Sequence, residues 1–341
     1  MTNADPNRPS LYAIYDLGRS PITFDVMNFF AFAHIWALRS GFAGYHVVLV
    51  LGDGTGFRDQ TPKDKALDRD EKMWRVRHVL MPHAAIAKNC VGISFVERRM
   101  DLARLMTALH PQQIFPPNYK VEAPNHAFML YQLFGLKPTG AELDVFHAPV
   151  AALRKVDEWL AQRAPGGRPV VFTLRSSQTE AARNSRIEEW VAAAREVRAR
   201  GYDPVIVPDT DLVTAGLETT MFEDLPVFGI GAVDLELRVA LFRRAYLNFA
   251  DNGGPAFLNY FMADSRMLCF LPVDKLPSVV VDLGGVQRMA QLLAVEPNGD
   301  FPHATPLCRF VWRPDRTDAI LDEFDRAVAL LDAAGNKGPV L

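Results

Sequence analysis

Two short segments carry residue types suited to holding an anion. The run Arg175-Ser176-Ser177-Gln178-Thr179-Glu180, continued by Arg183-Asn184-Ser185-Arg186, sets arginines and hydroxyls just ahead of a helical pattern. Guanidinium can bind phosphate bidentately, and the unpaired N–H groups at a helix start favour the same negative charge. A plainer use of the segment is equally open: Asn184 or Ser185 caps the helix and the arginines face solvent. The second segment is Asp251-Asn252-Gly253-Gly254-Pro255-Ala256. Gly253 and Gly254 would let the backbone approach a ligand closely. Pro255 suits a first helical position, which would aim that helix at a pyrophosphate or a sugar hydroxyl. The alternative is a tight turn that needs positive φ at a glycine.

Other residues offer less direct chemistry. Asp209, in Pro208-Asp209-Thr210-Asp211, can accept from a ribose or sugar hydroxyl, although a turn or cap role is the favoured reading. Near the start, Asp16, Arg19, Ser20 and Asp25 flank a turn where Asp16 or Asp25 could deprotonate a hydroxyl as general base. Asp25 is equally suited to complementing a helix dipole. Gly52-Asp53-Gly54-Thr55-Gly56 has only the first two glycines of a dinucleotide fingerprint, and no GxxxxGK[ST] or GxSxG occurs. The eight histidines show no HxxxH or HExxH spacing, so no metal site is expected.

These segments sit at the ends of β-prone runs, and the runs define the elements that position them. Leu11 to Tyr15, His46 to Leu51 and Val91 to Val96 read as strands, with helices over Phe24 to Arg39, Glu71 to Leu80 and Asp101 to Leu109. A Pro-rich connection follows at Ile114 to Pro117, and a linker between Gly135 and Gly140. The second half runs as helix Pro149 to Arg163, strand Val170 to Leu174, helix Ser185 to Arg200 and strand Pro204 to Val207. Helix Leu235 to Arg244, strand Tyr246 to Phe249, helix Ala256 to Met262 and strand Met267 to Leu271 complete it, with a tail helix over Asp315 to Leu331. Strands alternating with helices argue an α/β fold with two parallel sheets in two Rossmann-like domains facing each other across a cleft. The division expected is residues 1–140 and 141–341, with the last helix free to pack back on the first domain. In such sheets ligands bind beyond the carboxyl ends of the strands, where both anion segments fall.

Composition narrows the class. With 341 residues, 49% hydrophobic and 23% charged, the chain suits two ordinary globular cores. A net charge of -3 gives no general attraction to nucleic acid, which is not an expected partner. The longest apolar stretch near the start, Phe24 to Leu38, is interrupted by Asp25, Asn28 and His34 and falls short of the roughly 20 residues that span a bilayer. Membrane contact would be peripheral. The polar start and the three separated cysteines point to a cytoplasmic protein with free thiols.

Residues 168 to 272 carry a resemblance. Val171-Phe172-Thr173-Leu174-Arg175, the helix from Ser185, Val205 to Asp209, and Ala245 to Phe249 leading into Asp251-Asn252-Gly253-Gly254-Pro255 resemble the C-terminal half of GT-B glycosyltransferases. The heptosyltransferase-like and fucosyltransferase-like bacterial enzymes of surface-polysaccharide assembly are the nearest analogues. The resemblance implies a nucleotide-sugar donor, used as substrate with no cofactor, in the C-terminal domain. It implies a glycan or glycolipid acceptor on the N-terminal domain, and no required metal. Arg175 and Arg183 would stabilise the leaving diphosphate, the electrostatic role a metal ion fills elsewhere. Ser176, Ser177, Asn184, Asp209, Asn252, Gly253 and Gly254 would line the donor, and Arg19 and Ser20 the acceptor. The histidine and lysine often seen near such turns are absent, so the identity of the base is open. A sugar-nucleotide epimerase of the same architecture and a non-catalytic nucleotide-binding or scaffold protein are the alternatives.

Overall fold

The computed structural model describes residues 9–124, 128–177, 181–214, 216, 219–271, 273–275 and 285–335. Gln178, Thr179 and Glu180 of the first anion segment lie outside them. The chain divides into two compact units, Met1–His147 and Ala148–Leu341. The division falls at 147 rather than 140 because residues 136–147 are laced onto the first unit. Arg39 pairs with Glu142 at 2.6 Å, and the amides of Lys88 and His147 donate to Val145 and Ile86.

The first unit runs β1 (Leu11–Asp16), α1 (Val26–Arg39), β2 (Tyr45–Val50), α2 (Pro62–Ala66), α3 (Arg69–Arg75), α4 (His83–Ile86), β3 (Cys90–Val96), α5 (Arg99–Thr107), β4 (Ile114–Phe115) and α6 (Leu130–Gly135). Its strands form one parallel sheet in the order β3-β2-β1-β4. From β1 the chain winds outward to β2 and β3, then returns to the other side of β1. The strand order therefore reverses between β1 and β4. Helix α1 is apolar nearly all round, and Val26 through Ile35 are buried, which is what such a helix requires. On the α5 side, Ile14, Val48 and Val50 of the sheet meet Leu102 and Tyr119. The pattern read as one helix over 71–80 is α3 continued by a π-helical turn at Val76–Leu80.

The turn Gly52 to Gly56 has a structural task. A Cβ on Gly52 would lie 2.6 Å from the Cα of Gly18, so the turns after β1 and β2 cross backbone to backbone. Gly54 and Gly56 hold φ of 62° and 83°, conformations that favour glycine.

The second unit runs α7 (Val150–Arg163), β5 (Pro169–Thr173), α8 (Ile187–Ala199), β6 (Asp203–Val207), α9 (Thr210–Thr214), α10 (Leu235–Arg244), β7 (Leu247–Asp251), β8 (Met267–Phe270), α11 (Gly285–Leu293), β9 (Cys308–Val311) and α12 (Thr317–Ala333). Its parallel sheet has the order β6-β5-β7-β8-β9 and reverses between β5 and β7. All of β5, β7 and β8 is buried, as strands covered on both faces must be. Trp190, Phe172, Phe249 and Phe270 fill the core on one side. The tail helix α12 spends its apolar stripe there too, through Ala319, Ile320, Phe324, Ala327 and Leu331, and so packs within its own unit. The helix expected over 256–262 is a 3-10 helix, Gly254–Phe261, with Pro255 in its first turn.

Candidate functional site

The two anion segments meet at the strand-order reversal of the second sheet. Thr173 of β5 pairs with Ala250 of β7, and two residues further on both chains turn, at Arg175 and Asn252. Arg183 closes the gap: its Nη2 donates to the Asn252 carbonyl at 2.8 Å. A Cβ on Gly253 would stand 4.0 Å from Cδ of Arg175. Sequence placed these groups at strand ends, and the register brings them to one place.

The way the first turn is built corrects part of its expected chemistry. The amide of Arg175 donates to Ser185 Oγ at 2.8 Å, that of Ser176 to Asp209 Oδ2 at 2.9 Å, and that of Ser177 to Asn184 Oδ1 at 3.0 Å. Ser185 and Asn184 return the favour, through an amide to the Arg175 carbonyl and a side-chain NH2 to that of Ser177. Three successive N–H groups that could have cradled a phosphate are thus satisfied inside the protein. Asn184 and Asp209 are structural at this turn, so any anion contact here falls to side chains, and that of Arg183 already donates to the Asn252 carbonyl.

Helix α8 likewise offers less than its sequence suggested. It starts at Ile187, and neither Asn184 nor Ser185 caps it. Asp315 supplies the negative charge instead: Oδ2 accepts from the Arg186 amide at 2.8 Å and from Trp190 Nε1 at 3.0 Å. The same carboxylate pairs with Arg186 at 2.8 Å and Lys275 at 2.6 Å. A helix start already holding a buried carboxylate has little need of a phosphate.

The glycine turn points the other way. Gly253 has φ −131° and ψ 155°, and neither Gly253 nor Gly254 lies in the positive-φ region, so backbone strain does not call for glycine here. Packing does not call for it either, since a Cβ at 253 would meet its neighbours at ordinary distances of 3.7 and 4.0 Å. The absence of a side chain leaves the turn open to a ligand beside Arg175. Asn252 contributes only its carbonyl: its side chain is buried, with Nδ2 at 3.1 Å from Sδ of Met289 on α11.

In the first unit, the candidate acceptor-side residues do not form one group. Asp16 is buried, and its carboxylate accepts from Arg99 Nη2 at 2.9 Å, from the Tyr119 hydroxyl at 2.7 Å and from the Gly18 amide at 3.0 Å. A substrate hydroxyl would have to displace one of these donors, so Asp16 is poorly placed as a base. Ser20 is buried, with its amide on the Asp16 carbonyl. Arg19 is exposed. Asp25 is exposed at the start of α1 and accepts from the Thr23 hydroxyl at 2.7 Å.

Sequence reading passed over Arg99, Tyr119, Asp251, Lys275 and Asp315. Asp251 was visible as the first residue of the glycine segment. The others are joined to their partners across 40 to 129 positions, which no local pattern displays. Among the described residues no group of three or more His, Cys, Asp or Glu is placed to hold a metal ion. No helix among them is long and apolar enough to cross a membrane.

No family model matches the chain, and no curated protein does. Among the solved structures similar to it are the following two. One is titled the glycosyl transferase family 9 from Veillonella parvula DSM 2008, at 13% identity over 79% of this chain and 81% of that one, with a TM-score of 0.45. The other is the E. coli ADP-heptose lps heptosyltransferase II, at 8% identity over 95% of this chain and 99% of that one, with a TM-score of 0.49.

Proposed function

We propose that this chain is a glycosyltransferase that binds a nucleotide-sugar donor at the second unit and passes the sugar to a glycan or glycolipid acceptor. The observation that carries the reading is the meeting of Arg175, Arg183 and the open Gly253 turn where the strand order reverses. Open α/β sheets bind ligands at that point, and guanidinium is the side chain best matched to phosphate. Loss of the sugar leaves a diphosphate whose growing charge the two arginines would stabilise, so the reading needs no metal. Ser176 and Ser177 would add hydroxyl contacts. Of the two candidate bases, Asp25 suits deprotonation of the acceptor hydroxyl better, because its carboxylate is exposed while that of Asp16 is filled by three donors. The setting that fits is the cytoplasmic stage of surface-polysaccharide assembly.

A thermal-shift screen of ADP, GDP, UDP and CMP, alone and as sugar conjugates, tests the reading. One nucleotide family should raise Tm, and Arg175→Ala should abolish that rise. A hydrogen bond to a charged group contributes about 1.5–3 kcal/mol, so affinity should fall by roughly 10- to 100-fold. No shift with any of these compounds refutes the donor site.

A further inference from the structure

Directly behind the Asn252 turn sits an acid that the reading above does not use. Asp251 ends β7, is 2% exposed, and neither of its carboxyl oxygens has a hydrogen-bond partner among the described residues. The groups that face it come from several pieces of chain. Ser185 and Asp315 lie alongside, Lys275 faces it from the turn after β8, and the Cys269 thiol, itself pushed up to about 12 by burial, faces it from β8. Arg175 and Arg183 stand over the same end of the strand.

Two of the cations in this cluster are already matched. Lys275 and Arg186 pair with Asp315, and the second arm of Arg186 pairs with Asp274 at 2.7 Å. Two positive and two negative charges balance without Asp251. Ionised, it would be a buried charge with no counter-ion, a state that proteins avoid by protonating the group. Burial first, and the charge of Asp315 second, raise its pKa to about 8, with Lys275 pulling the other way.

Its position gives that proton a consequence. Asp251 leads straight into Asn252, whose carbonyl holds Arg183, and it faces Ser185, whose Oγ accepts the Arg175 amide. We propose that Asp251 is a proton-dependent positioning residue of the donor site: neutral, it lets the two turns hold a nucleoside diphosphate, and ionised, it sets a negative charge behind them that weakens the hold. The phosphates would then compete with an anion inside the wall, and Ser185 would turn its hydroxyl to the new carboxylate.

The inference rests on the donor reading, and two measurements separate their failures. Calorimetric titration of the full chain with ADP, GDP and UDP at pH 7 and pH 9 should show Kd rising about tenfold, because one unit above its pKa only about a tenth of Asp251 stays neutral. In Asp251→Asn the ratio of the two Kd values should be close to one. Equal ratios in the two proteins overturn the inference. The second measurement needs no ligand. The folded pKa of Asp251 lies above its ordinary value of 3.8, so the stability it contributes is lost as pH rises from about 4 to about 8. The Tm of Asp251→Asn relative to wild type should therefore climb through that range and level off above it. A flat difference overturns the neutral acid itself, whether or not nucleotides bind. A climbing difference with no nucleotide binding overturns the donor reading, and this inference with it. Asp251→Ser, smaller and also neutral, gives the same comparison if the Asn variant does not fold.

Discussion

The most discriminating substitution is Gly253→Ala, because the fold and the ligand respond to it in opposite ways. At φ −131° and ψ 155° alanine fits the backbone without strain, and its Cβ would meet the Asp251 carbonyl at 3.7 Å and Cδ of Arg175 at 4.0 Å, both ordinary contacts. Replacing glycine at a compatible position stabilises a protein by about 0.4–1 kcal/mol through the unfolded chain. For a unit the size of Ala148–Leu341 that is a rise in Tm of roughly 1–4 °C. The added methyl stands on the face beside Arg175 where the diphosphate is proposed to lie. Pushing it back by even a few tenths of an ångström weakens the guanidinium contacts, and a loss of about 1.4 kcal/mol is tenfold in Kd. The assay is paired: Tm of the unliganded protein, and titration with the nucleotide that gives the largest shift on wild type. A more stable variant with binding at least about tenfold weaker is the expected result. Wild-type affinity would refute the placement of the ligand at this turn. A loss of stability greater than about 1 kcal/mol would refute the argument that the fold does not need this glycine.

Other consequences follow from the remaining geometry. Arg99→Ala strands the buried Asp16 carboxylate and should cost about 3–5 kcal/mol in urea unfolding, whereas Asp25→Ala, at an exposed position, should stay within about 0.5 kcal/mol yet abolish sugar transfer. Asp315→Ala removes the partner of Lys275, Arg186 and Trp190 at once, and a similar loss of about 3–5 kcal/mol is expected by the same measurement. His83 is fully buried with Nδ1 on the Val79 carbonyl, and burial lowers its pKa from 6.5 to about 4. Its contribution is present above the unfolded value and lost as pH falls from about 6.5 to about 4. His83→Gln should remove on the order of 3 kcal/mol of that acid-induced loss, read as the pH dependence of Tm.

Much of the architecture is legible because it rests on local apolar patterns. Strands such as Tyr45–Val50 and Met267–Phe270 are short uncharged runs, and α10 falls on the residues its periodicity assigns. β9 was missed because Cys308-Arg309-Phe310-Val311 is only four residues long, with a charge inside it, and its pairing with β8 is set by position in the sheet. The site shows the same limit. Strand ends could be read from the sequence, and with them Arg175 and Gly253. The occupants of the backbone amides could not, since Asp209 reaches Ser176 across 33 positions and Asp315 reaches Arg186 across 129. Polar residues at strand ends advertise a site, but only the fold shows which of them are already committed to one another.

The two strand-order reversals show what that commitment does. Each lies at the carboxyl edge of a parallel sheet, the place where such folds bind ligands. In the first unit the edge is closed by its own charges: Asp16 is held by Arg99 and Tyr119, and Arg99 also donates to the Val121 carbonyl at 2.8 Å. An incoming phosphate would have to compete with a buried carboxylate for that guanidinium. In the second unit Asp251, at the end of β7, is buried and driven toward its neutral form, and Arg183 donates to the Asn252 carbonyl beside the open glycine turn. The acid at this edge is thus held by donors in one unit and left without an ordinary hydrogen bond in the other. That contrast, more than the count of arginines, favours the second unit for the phosphate-bearing donor proposed above.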